Sequence, residues 1–100
     1  FYGAAILCLD DENVRLLLPQ IRRRVVTYGV TPQADLVIRD LDFSSTASHF
    51  TLHYRGESLG PFTLNVTGRH NVLNAAAATA LCLELGLSGA QIASGLAAFS

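Results

Sequence analysis

Asn71 and Asn74 stand three residues apart at the start of GRHNVLNAAAATALCLELGL, residues 68–87, a run that is otherwise almost wholly apolar. A carboxamide carries a hydrogen-bond donor and an acceptor together. That pair matches the N6/N7 edge of an adenine, which asparagine is known to read. On a helix, residues three apart point to the same side, so both amides can address one ligand. The other use of such residues is local. Asn71 suits a helix N-cap, whose side-chain oxygen takes a free backbone N–H. Asn74, one turn further in, competes with the helix backbone and gains nothing there. A helix start preceded by Gly68, Arg69 and His70 can also hold an anion through its free amides and dipole. On chemistry alone, binding and capping weigh equally.

The other chemistry-bearing residues favour structural roles. His49 and His53 would share one face of a helix and could chelate a metal. The alternation around them predicts a strand instead, where the same spacing sets them roughly 13 Å apart. The metal reading is rejected. Asp10, Asp11 and Glu12 follow a predicted strand, at the end where open α/β sheets place ligands. Two carboxylates there could hold a divalent cation, but acids complementing a capped helix N-terminus are the favoured reading. Arg22–Arg24 could touch phosphate, yet an isolated triplet entering a strand reads as a solvated edge. The sequence has no Gly-x-x-x-x-Gly-Lys-Ser/Thr loop, no Gly-x-Gly-x-x-Gly and no locally spaced Ser-His-Asp set. No residue is assigned a catalytic role.

These residues must be positioned by a small scaffold. The chain has 100 residues, of which 50% are apolar and 15% charged, enough for one compact core. A net charge of −1 gives no electrostatic ground for a nucleic-acid or membrane-surface partner. All seven cations are arginines, so any lysine chemistry must come from elsewhere. Cys8 and Cys82 sit in apolar runs and read as buried free thiols of a reducing compartment. The longest apolar run is broken by Glu84 and is too short to cross a bilayer. The chain starts at Phe1 and stops at AAFS, and reads as an excised piece.

In order, AAILCL (4–9) predicts a strand covered on both faces. VRLLLPQI predicts a short helix that Pro19 ends or distorts. RVVTYG (24–29) predicts a second strand, completing a parallel βαβ step. ADLVIRDLDF (34–43) is a strand of imperfect alternation. HFTLHYR (49–55) and FTLNVT (62–67) alternate cleanly, with Phe50, Leu52, Tyr54, Phe62, Leu64 and Val66 facing inward, and GESLG turns between them. A helix then runs from about His70 to Leu85, apolar nearly all round and buried against a sheet, with Gly86 as a left-handed cap. The last helix opens at LSGAQI, where Ser88 and Gln91 form a capping box and Leu87 staples onto Ile92. The fold class is α/β: a partial nucleotide-binding domain, with a βαβ step, a small antiparallel meander and two C-terminal helices.

The stretch GRHNVLNAAAATALCLELGLSGAQIASGLAAF resembles the end of the central, ATP-binding domain of the Mur ligases, with their Gly-x-His-Asn-x-x-Asn-Ala-Ala signature. FYGAAILCLDDENVRLLLPQIRRRVVTYG and SHFTLHYRG…GPFTLNVTGRHN extend the likeness over essentially the whole chain. The resemblance implies that residues 1–100 are the C-terminal part of that central domain, a single incomplete domain. It implies a cytoplasmic ATP- and Mg2+-dependent ligase of peptidoglycan precursor synthesis, in which a substrate carboxylate becomes an acyl phosphate that an amine attacks. The upstream segment is similar to the member that joins L-alanine to UDP-N-acetylmuramate. Asn71 and Asn74 match the signature asparagines, and Asn74 is expected to bond the adenine edge. His70 matches the signature histidine and is expected to line the same pocket without acting as a base. The phosphate loop, its lysine and the Mg2+ ligands are implied upstream of Phe1, so the segment alone is expected to be inactive. Its open sheet edge is expected to favour self-association. Two alternatives stand beside this: a related ligase adding a preformed peptide to the same sugar nucleotide, and a non-catalytic α+β interaction module in which both asparagines only cap.

Overall fold

The structure, a computed structural model, describes residues 4–22 and 24–98. The readings placed on residues 1–3, on Arg23 and on residues 99–100 lie outside the described residues. AILC forms strand β1 (Ala5–Cys8), and ENVRLL forms helix α1 (Glu12–Leu17). Asp11 caps α1, its carboxylate accepting from the Asn13 amide at 2.8 Å. Pro19 then tightens the chain into a 3₁₀ turn, Leu18–Gln20, because its ring blocks a further α turn. VVTYG gives β2 (Val25–Gly29), parallel to β1 with Ala5 opposite Val25 and Cys8 opposite Tyr28. The βαβ step is present as expected. β1 differs in burial: it is the edge of the sheet among the described residues, and its four residues are only half-buried.

Strand β3 (Leu36–Phe43) joins the two halves of the sheet. It pairs in parallel with β2, Tyr28 opposite Leu36, and antiparallel with β4 (Ser48–Tyr54). The parallel step and the meander are therefore one mixed sheet, in which β3 belongs to both. Arg55 and Gly56 close the next hairpin with φ of 51° and 88°, the positive values of a type I′ turn. The returning strand is broken. Its two pieces, β5 (Glu57–Ser58) and β6 (Phe62–Leu64), pair with opposite ends of one edge of β4. Gly60 and Pro61 make the break, since Pro61 has no N–H to give a ladder. Val66 falls beyond β6 rather than in the strand, half-buried but packed against the core.

Alternation delivers the core. Phe50, Leu52, Phe62 and Leu64 are at most 3% exposed and pack with Val26, Leu36 and Ile38 from the neighbouring strands. Across them lies helix α2 (Arg69–Glu84), burying Val72, Ala75, Ala76, Thr79 and Ala80. That i, i+3, i+4, i+7, i+8 stripe is the face a helix turns to a sheet, and its alanines let the backbones approach closely. The helix lies against the sheet as expected, and its apolar outer side is left open: Leu81 is 50% exposed and Leu85, at its C-cap, 65%. Helix α2 ends in a Schellman motif at Gly86 (φ 89°), with Leu87 N–H bonded to Cys82 O and Gly86 N–H to Leu83 O. Helix α3 (Gly89–Ala98) starts with the predicted capping box. Ser88 N–H donates to Gln91 Oε1 at 2.8 Å, and Gln91 N–H to Ser88 Oγ at 3.2 Å. Packing of α3 is chiefly on β6 and only light on α2, which leaves a gap between the two helices.

Candidate functional site

The first turn of α2 is built differently from its sequence reading. Gly68, at φ 105°, is the N-cap, and it carries no side chain to satisfy the helix amides. Asn71 is the third residue inside the helix. Its Nδ2 reaches back to donate to the Thr67 carbonyl at 2.8 Å. The amide thus secures the residue before the cap instead of capping, and its Oδ1 acceptor and second N–H are left for another group. Asn74 keeps both functions. It is exposed, and its amide bonds to none of the described residues.

Both asparagines line a cavity of about 230 Å³ in the gap between α2 and α3. Leu64 of β6, Ala75 and Ala78 of α2, and Leu96 of α3 supply its apolar walls. Small alanines leave the room, and the two amides supply the polar edge, the composition expected of a small-molecule site. A flat heterocycle with adjacent donor and acceptor fits that arrangement. His70, expected in the same pocket, is exposed and lies outside the cavity lining.

A second polar centre lies at the C-terminal ends of β1 and β2, and the sequence reading missed it. Asp10 does not join Asp11 in capping α1. Its carboxylate turns to the β2–β3 loop and accepts from the amides of Val30 and Thr31, at 3.0 and 3.1 Å, and from the Thr31 hydroxyl. On its remaining side, Arg69 Nη2 stands 3.6 Å away. Burial opposes ionisation of Asp10. The Thr31 hydroxyl, the two amides and Arg69 together outweigh burial and hold the carboxyl below its ordinary value. The resulting stability is fully present above the unfolded carboxylate value, near 3.9, and is lost as pH falls through the lower native value. Melting temperatures of the wild type should therefore drop more steeply below about pH 4 than those of Asp10→Asn. Parallel curves for the two proteins would contradict this.

The opposite end of α2 has a matching anchor. Glu84 forms an ion pair with Arg24 and accepts from Tyr54 Oη at 3.1 Å. Arg24, read as part of a solvated edge, is therefore committed to the helix. His49 and His53 stay on β4 as expected, His49 beside the Thr63 hydroxyl at 3.3 Å. Among the described residues, no three His, Cys, Asp or Glu side chains stand where they could hold a metal ion. Cys8 and Cys82 are free thiols. Among the described residues, no helix is long and apolar enough to cross a membrane.

Residues 1–82 match the family model of the Mur ligase middle domain. The UDP-N-acetylmuramate–L-alanine ligase of Solibacter usitatus is 53% identical over 100 residues, covering 100% of this chain and 21% of that protein. The ligase of the same name from Desulfotalea psychrophila is 50% identical over 99 residues, covering 99% and 22%. The chain thus spans about a fifth of the length of these curated relatives. Among solved structures, a UDP-N-acetylmuramoylalanyl-D-glutamyl-2,6-diaminopimelate–D-alanyl-D-alanyl ligase from Acinetobacter baumannii superposes with a TM-score of 0.81 at 26% identity, over 100% of this chain and 22% of that one. A UDP-N-acetylmuramate–alanine ligase from Thermotoga maritima gives 0.66 at 30% identity, over 74% and 17%.

Proposed function

The chain belongs to the Mur ligase middle-domain family, and from that membership we propose that it is the C-terminal part of the central domain of an ATP-dependent ligase joining L-alanine to UDP-N-acetylmuramate. Its share of the work is to hold the adenine of ATP. The alanine-adding assignment is supported by the names of relatives that cover 96–100% of the chain. The observation that carries the adenine assignment is Asn74, a carboxamide with no partner among the described residues on the wall of an apolar cavity.

In this reading Asn74 accepts from the adenine 6-amino group and donates to N7, the bidentate geometry an amide offers. Asn71 contributes its Oδ1 acceptor and, through its bond to the Thr67 carbonyl, keeps the helix entrance in place. Leu64 and Leu96 shield the ring from water. Phosphate binding and the acyl-phosphate step fall to residues outside this chain. Mg2+ would supply charge stabilisation to those steps, and among the described residues no three His, Cys, Asp or Glu side chains are grouped to hold it. The cytoplasm, where ATP is available and thiols stay reduced, is the compartment this reading assigns.

An amide-resolved titration with ATP tests it. Shifts should cluster at residues 67–75 and at Gly95 and Leu96, and uridine triphosphate, which lacks the N6/N7 edge, should give far weaker ones. An unchanged spectrum at millimolar ATP would overturn the adenine assignment and favour the reading of both asparagines as structural.

A further inference from the structure

We propose that Asp10 is a positioning residue for the nucleotide site, acting through Arg69 to hold the first turn of α2 against the ends of β1 and β2. This deepens the adenine reading above and rests on it.

Helix α2 begins without the usual means of securing its start. Its N-cap is a glycine, and its first turn contains no acid. It opens instead on Arg69, a cation at the end of the helix where the dipole is already positive and favours anions. Asp10 supplies the missing negative charge from another element. That carboxylate is itself immobile. Three hydrogen bonds from Val30 and Thr31 fix it, and its side chain is 15% exposed against 56% for Arg69. Gly29 completes the seat: a Cβ there would lie 2.5 Å from Asp10 Oδ1, so only a glycine lets the carboxylate settle over the end of β2. A rigid anion on the sheet thus meets a flexible cation on the helix, two residues before Asn71 and five before Asn74. The end of α2 repeats the pattern with signs exchanged, since Glu84 stands where cations are favoured and is held by Arg24 from the start of β2. The helix is pinned at both ends by charges it would not choose alone. The near pin is the one that sets where the asparagines stand.

The test uses the complete ligase of which this chain is proposed to be a part, reading ATP affinity by calorimetry alongside KM and kcat. Asp10→Asn and Arg69→Ala should each weaken ATP binding about fivefold, the scale of a partly exposed ion pair, with kcat at saturating ATP little changed. The double variant should be no worse than the weaker single, because both remove the same link. Glu84→Gln, at the far end of the helix, should lower the melting temperature without changing ATP affinity. Arg69 is exposed, so Arg69→Ala keeps the fold even where Asp10→Asn does not. Unchanged affinity in Arg69→Ala, additive losses in the double variant, or an equal loss in Glu84→Gln would overturn the proposal while ATP still binds the wild type. Failure of the wild type to bind ATP would overturn the adenine reading itself, and this one with it.

Discussion

Asn74→Leu should weaken ATP binding to the complete ligase about a hundredfold while leaving the protein as stable as before. Two hydrogen bonds to the base would be lost. The N6 and N7 positions would also be buried against a leucine with no partner, and an unsatisfied polar group costs about 1–3 kcal/mol. A total near 2.8 kcal/mol corresponds to about two decades in Kd. Stability is expected to hold because the Asn74 side chain is exposed and bonds to none of the described residues, and leucine is the better helix former. Calorimetric titration and a thermal melt on the same sample separate the two effects. A Kd within threefold of wild type would remove Asn74 from base recognition. A collapse in melting temperature would instead make it a structural residue.

Phe50→Ala is the change expected to harm the fold most. Phe50 is 2% exposed at the middle of β4, its ring stacked on Phe62 with centroids 6.0 Å apart. Truncation forfeits the burial of a large aromatic and leaves a cavity between the sheet and α2, which together cost about 3–5 kcal/mol. That is a large fraction of the roughly 5–15 kcal/mol that holds a domain together. Phe50→Leu, which refills most of the space, should cost under about 1.5 kcal/mol. His49→Ala, one residue away on the wet face, should stay within about 0.5 kcal/mol. Urea denaturation with a common slope ranks all three. Equal losses at positions 49 and 50 would mean that the alternation of β4 does not define the core.

Local pattern carried most of the architecture because most of it is local. The alternation in residues 49–54 and 62–64, the Ser88–Gln91 box and the left-handed Gly86 each depend on neighbours within a few positions, and each appears where the sequence placed it, although the last strand stops at Leu64 instead of running to residue 67. What the sequence could not display was pairing between distant segments. Nothing in residues 34–43 announces that β3 takes a parallel neighbour on one edge and an antiparallel one on the other. Likewise the seat of Asp10 draws on residues near 10, 30 and 69, and only the register of β1 on β2 brings them together. At the site, the spacing of Asn71 and Asn74 was legible as a pair of amides on one side of a helix. Their division of labour was not, because it turns on a glycine taking the cap at position 68 and on Thr67 offering a carbonyl. The likeness to the Mur ligases pointed to the purine. The coordinates add which of the two amides is unengaged.

The two borders of the sheet differ in kind, and the difference gives the fold a direction. Beyond β4 the ladder is stopped by two short pieces with a glycine and a proline between them, so no further strand can dock there in register. Among the described residues β1, from Ala5 to Cys8, carries no second strand partner, and it stands beside a helix that contributes no buried residue. Lateral growth is therefore one-sided: an added strand would join at β1, leaving the cavity between α2 and α3 untouched by the extension.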